Sequence, residues 1–245
     1  MRHPVGGIAA RHWNGQSRVD STSLGVMSVI QDVFSYAVRG NGKYILIIGS
    51  VIHVMSYLMG FAPLIGIIAN WILFAYFCAV YFQIIETTAT GSTEAPEFPE
   101  ISNPVGDLLV PMCKVCGVAL AVFSPLIAYL FAVDNPSAGV VFALAGAAAV
   151  YFPMAMMAVV VLGYLGAMGP QIVVPAIFRA GGLYWLSVFL LLMLYLGQIY
   201  VVDAVEGIPF LGQIVSAVVS MYLLMTNGRM LGIIYRERRE EMGWI

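Results

Sequence analysis

Six apolar runs decide what this chain can be: residues 44–62, 64–85, 110–133, 138–165, 183–202 and the stretch from 208 onward. Each is long enough to cross a hydrocarbon layer of about 30 Å, and in lipid a backbone satisfies its own hydrogen bonds only as a helix or a closed barrel. The runs are continuous rather than alternating with period two, which is not the pattern of barrel strands. Only 10% of the 245 residues are charged, against about 25% in soluble domains. The fold class expected is an all-α membrane protein of about six transmembrane helices arranged as three helical hairpins, plus an N-terminal interfacial amphipathic helix.

Taken in order, residues 1–22 are Gly-rich and basic without periodicity, the composition of a mobile tail. In the segment 23–43, Ser23 suits an N-cap, and Val26, Met27, Ile30, Val33, Phe34 and Ala37 recur at helical spacing with Ser28, Gln31, Asp32 and Ser35 between them. Too short and polar to span, it predicts a helix lying in the membrane interface. A first hairpin covers 44–85, turning at Gly60, Phe61, Ala62 and Pro63. An acidic, Pro-rich loop follows at 86–109, a second hairpin at 110–165, a short surface or re-entrant segment at 166–182, a third hairpin at 183–235 and a charged tail at 236–245. The fourth apolar run is 28 residues, about 42 Å at 1.5 Å per residue. It must tilt, kink at Pro153 or project from the bilayer, and Gly166, Gly169 and Pro170 supply its stop. A weak repeat relates Pro63-Leu-Ile-Gly66 to Pro209-Phe-Leu-Gly212, with Tyr76 and Tyr222 at equal spacing behind.

Charge placement gives an orientation. All eleven Lys and Arg residues fall in the tails, in the even-numbered loops or at their membrane edges. By the positive-inside rule both termini and the 86–109 loop are then cytoplasmic, in a multi-pass protein of the cytoplasmic (inner) membrane. No large basic patch suggests nucleic acid, and no residue pattern calls for a cofactor.

Candidate chemistry is sparse. His53 lies near the middle of the first span, where an ionisable group is a functional candidate, although a neutral imidazole bonded to a neighbouring helix is the commoner case. Glu94, Glu97 and Glu100 offer carboxylates suited to a divalent cation, but more simply form a solvated acidic surface docked on Arg179, Arg229 or Arg236. Asp107 closes the same loop. Cys113-Lys-Val-Cys116 has redox or half-metal-site spacing, yet lacks a second ligand pair, and reads more simply as small residues opening a helix. In the C-terminal tail, Arg236 and Glu240 stand at i,i+4 spacing for an ion pair.

Three stretches carry a resemblance: Gly91 to Pro111 with Glu94, Pro96, Pro99 and Asp107; Gly169-Pro170 through Val174-Pro175 to Arg179; and Tyr222-Leu-Leu-Met to Arg229, Leu231-Gly232 and Tyr235-Arg236. In these the chain resembles an uncharacterised family of prokaryotic six-span membrane proteins, a domain of unknown function. The resemblance implies the topology and no activity. The expectation is a non-enzymatic accessory or organising component, meeting lipid through its spans and protein partners at its cytoplasmic face. The alternative is a small transporter or channel with a midplane site near His53. Oligomeric state is left open.

Overall fold

A computed structural model describes residues 25–59, 63–99, 101–205, 207–208 and 210–244. The expected tail at 1–22, the Ser23 cap, the turn at 60–62 and Pro209 of the weak repeat lie outside the described residues. Among the described residues all regular structure is helical, without a strand. Helix α1 is Val26–Tyr36, α2 Gly42–Met59, α3 Pro63–Ala89, α4 Val110–Ala132, α5 Ala138–Leu162, α6 Pro170–Val205 and α7 Leu211–Met242. Six of these, α2 to α7, are long and apolar enough to cross a membrane.

Helices α5 and α7 form the interior. In the most apolar window of each, 56% and 61% of residues are buried, against 11% in α4 and 6% in α6, whose apolar side chains face outward as a lipid-facing surface would. Residues Met154 to Val161 of α5 are all buried, and pack with Tyr184 and Val188 of α6 and with Leu231, Ile233 and Ile234 of α7. The Tyr184 hydroxyl donates to the Val150 carbonyl of α5, and Gln198 of α6 donates to Ser220 of α7 at 2.9 Å. These bonds tie neighbouring helices together in a low-dielectric interior, although the buried Tyr36 hydroxyl, Gln83 Oε1 and Thr226 Oγ1 make no hydrogen bond among the described residues. Besides α6, α7 packs against α1, α2 and α3.

Close packing of α7 on α3 rests on Gly228 and Gly232. A Cβ at Gly232 would lie 2.6 Å from the Thr88 methyl and 2.9 Å from the Ile85 carbonyl oxygen; one at Gly228 would lie 2.9 Å from the Ile84 γ2-methyl. This small-xxx-small spacing lets two backbones approach. The intervening Arg229 is carried into the interface with them.

Several elements depart from the sequence expectation for identifiable reasons. Helix α5 stops at Gly163, in the left-handed conformation (φ 84°) with its N–H bonded to the Val159 carbonyl at 3.1 Å, not at Gly166 or Gly169. The segment expected to be a surface or re-entrant turn is instead helical from Pro170. It buries Val173, Ala176, Ile177 and Ala180, so that α6 consists of helical parts 170–180 and 182–205 joined at Gly181 (φ 64°, ψ −149°). Only glycine adopts that conformation without strain. In α1 the buried stripe is Val29, Val33, Tyr36 and Ala37, while Met27 is 78% exposed, a rotation away from the expected stripe because the helix packs on α7. Near the C-terminus Arg236 pairs with Glu237 at 3.1 Å and Arg238 with Glu241 at 2.6 Å, in place of the expected Arg236–Glu240 pair.

Candidate functional site

The most concentrated polar chemistry lies where α1, the end of α3, the following loop and α7 meet. Arg229 is 1% exposed, the largest fully buried side chain of the molecule's described part. It stands 18 positions into α7, about 27 Å along the axis at 1.5 Å per residue, close to the full depth of a 30 Å hydrocarbon layer. Its surroundings therefore form at one edge of the apolar zone, where chain segments can leave the bundle.

Local structure delivers each partner. Gly91 ends α3 in a left-handed conformation (φ 98°), and the Ser92 N–H turns back to the Thr87 carbonyl at 3.0 Å. That turn aims the Ser92 carbonyl at the guanidinium: Arg229 Nη1 donates to it at 2.5 Å and to Thr88 Oγ1 at 3.3 Å. From the other side, Nε and Nη2 donate to Asp32 Oδ2 of α1 at 3.1 and 2.8 Å. Four of the five guanidinium N–H groups are thus engaged. The face of the cation lies over the Tyr36 ring, 4.8 Å from its centroid, an arrangement that gains when water is excluded. Burial pushes the Tyr36 hydroxyl up to about 12, against the opposing pull of the Arg229 charge.

Asp32 is less enclosed, at 35% side-chain exposure, and its Oδ1 lies 3.8 Å from Arg39 Nη1 in the turn after α1. The Tyr222 hydroxyl of α7 donates to the Phe34 carbonyl of α1 at 2.9 Å, and the Tyr81 hydroxyl of α3 to Asn227 Oδ1 at 2.9 Å. An apolar cluster seals the junction: Tyr36 and Ala37 of α1, Ile45 of α2, Val80 and Ile84 of α3, Met221 and Met225 of α7, and from the loop Ala95 with Phe98 packed against it.

The sequence-predicted candidates are dispersed. Arg229 does hold the loop, but through the Ser92 carbonyl and not through a glutamate. Glu94 and Glu97 are exposed, and Glu100 lies outside the described residues. Arg179 donates from Nη1 to the Met242 carbonyl at 3.3 Å, fastening the end of α7 to α6. Asp107 accepts from Ser102 N at 3.0 Å, Ser102 Oγ at 3.2 Å and Asn103 N at 2.8 Å, shaping the entry to α4. His53 is half-buried on α2, its ring 6.1 Å from that of Phe77. A groove of about 330 Å³ between α2 and α3, lined by Ile52, Met55, Met59, Ala69, Ile72 and Leu73 and not by His53, has an entirely apolar wall.

Cys78, Cys113 and Cys116 are free thiols, and among the described residues no three His, Cys, Asp or Glu side chains gather as a metal site would require. Comparison with protein-family models, curated proteins and solved structures finds no match to this chain.

Asp32, Thr88, Ser92 and Tyr36 are the members that sequence reasoning passes over. A signal existed for two charges. Asp32 is the sole acidic residue between positions 21 and 85, and Arg229 the sole charge between 207 and 235. Two isolated opposite charges beside apolar runs are candidates for each other.

Proposed function

We propose that this chain is a non-enzymatic multi-pass protein of the cytoplasmic membrane that acts as an accessory or organising component, presenting the 86–109 loop to a protein partner in the cytoplasm. The carrying observation is the division of charge around Arg229. The buried cation is spent on fixing the loop through the Ser92 carbonyl, while Glu94 and Glu97 point away from it into solvent. Ala95 and Phe98, the loop's apolar anchors, alternate with those glutamates and face the bundle. A loop held at several points loses less entropy on binding than a free one. The absence of any Lys or Arg from 86–109 suits a basic surface on the partner.

Orientation rests on the distribution of Lys and Arg along the chain, which puts the termini, α1 and the loop on the cytoplasmic side. In that setting α1 lies at the interface, with exposed Arg39 in its following turn and exposed Lys43 at the start of α2 placed for anionic headgroups. Several interior polar side chains suit a non-enzymatic reading, because Tyr81, Tyr151, Tyr184, Tyr222 and Arg229 are committed to hydrogen bonds between elements.

A photocrosslinking amino acid at position 97, activated in intact cells, tests the reading. A discrete protein adduct that disappears with Glu94→Lys, while expression and elution volume are unchanged, is the expected result. Adducts to lipid alone, or a protein adduct indifferent to Glu94→Lys, would overturn it.

A further inference from the structure

From the same geometry we infer that Arg229 is a shared anchor through which α1 and the 90–99 loop are conformationally coupled, so that releasing either one loosens the other. Two independent connections support the coupling. The first is polar: one guanidinium, 1% exposed, divides its donors between Asp32 of α1 and the Thr88 and Ser92 oxygens at the base of the loop. The second is apolar: Tyr36 and Ala37 of α1 share one cluster with Ala95 and Phe98 of the loop.

Each half of the arrangement needs the other. If α1 lifts away, Arg229 loses its one carboxylate partner among the described residues and the ring stacked on its face, and a buried cation without a counter-charge is strongly unfavourable. Water must then reach it, and the nearest cover to open is the loop. If the loop is drawn out instead, the cluster loses Ala95 and Phe98, and the guanidinium loses its 2.5 Å bond to Ser92. The hold on α1 weakens accordingly.

Asp32 has an exit in the same direction. Its second oxygen already faces Arg39, 61% exposed and belonging to the same end of the chain, so a departing α1 takes a counter-charge for its aspartate with it. Two discrete arrangements follow, Asp32 on Arg229 with the loop docked, and Asp32 on Arg39 with both elements loosened. Such a pair of states is what a coupled switch requires. Because linkage is reciprocal, anything that binds the undocked loop shifts α1, and anything that draws α1 into the membrane surface shifts the loop by the same factor. The coupling holds whether or not the loop has a protein partner.

Hydrogen exchange read by mass spectrometry on the full chain in lipid nanodiscs tests it. Asp32→Asn is expected to speed exchange about tenfold in both 26–38 and 90–99, leaving the α5 core 154–161 unchanged. Phe98→Ala is expected to do the same from the other end. Acceleration confined to the mutated element in both variants would overturn the proposal. Should Asp32→Asn also accelerate 154–161, as a general loss of fold would, Phe98→Ala decides: faster exchange at 26–38 supports the coupling and silence there refutes it. A third comparison isolates the anchor. With Asp32→Asn and Arg229→Gln combined, which removes both charges, Phe98→Ala is expected to move 26–38 much less; an undiminished effect means the coupling bypasses Arg229.

Discussion

Arg229 and His53 are both ionisable residues in spanning helices, and the bundle treats them in opposite ways. Around Arg229 the chain assembles a carboxylate, a hydroxyl, a carbonyl and an aromatic face, drawn from α1, α3 and the loop. Around His53 it offers one tilted Phe77 ring, and the groove formed by the neighbouring α2 and α3 side chains has a wholly apolar wall. Hydrogen-bond partners have been gathered where extramembrane segments must be fastened to the bundle. Around the His53 ring itself they have not among the described residues, although one turn on, the Ser56 hydroxyl donates to Asn70 Oδ1 of α3. Position in a membrane makes an ionisable group costly, but the partners brought to it are what distinguish an anchor from a tolerated side chain.

That contrast is broken most severely at Asp32. Asp32→Ala leaves the Arg229 cation buried without its carboxylate, and removing one member of a buried pair costs about 3 kcal/mol. The expected outcome is a marked fall in the unfolding midpoint of the protein in detergent. Exchanging the charges, Asp32→Arg with Arg229→Asp, is expected to recover part of that loss, whereas an effect of Asp32→Ala within experimental error would mean the pair carries no stability. Next in size is Gly232→Ala. Its added methyl would meet the Thr88 methyl at 2.6 Å and the rigid Ile85 carbonyl at 2.9 Å, forcing α7 away from α3. Such overpacking costs about 2 kcal/mol, read in the same unfolding experiment and expected to exceed the effect of the same change at Gly146, which has open space around it.

Much of the architecture is legible in the sequence because run length and hydropathy alone determine whether a helix can cross a membrane, and six such helices are present. Where the reading goes astray, local backbone geometry or long-range pairing is responsible. Three glycines stand near the end of α5, and nothing in composition says that Gly163 is the one to turn left-handed. The 166–182 stretch looks broken by Gly and Pro, yet Pro170 is acceptable at a helix start and Gly181 absorbs the kink. Arg229 stands out in sequence, whereas its partner Asp32 falls on what looks like the wet face of α1, 197 positions away. The acidic loop advertises its glutamates, while the atoms that fix it are a backbone carbonyl, an alanine and a phenylalanine. No side-chain pattern marks a carbonyl as a ligand.

Smaller effects sharpen the comparison. Tyr222→Phe deletes only the hydroxyl that donates to the Phe34 carbonyl, a loss of about 1 kcal/mol, with faster exchange expected in 26–38 and none in α4. His53→Phe is expected to do least. The ring it replaces stands beside Phe77, so an aromatic hydrocarbon fits the same surroundings. A change within about 0.5 kcal/mol is anticipated, together with unaltered growth of cells that depend on the protein. The same substitution also weighs the transport alternative, since a midplane site lined by His53 would lose its one titratable group. If His53→Phe left stability intact but abolished function, the partner-poor histidine would be the working residue and the well-partnered arginine a structural fastening alone. If function survives, activity belongs at the end of the bundle where Arg229 holds the loop.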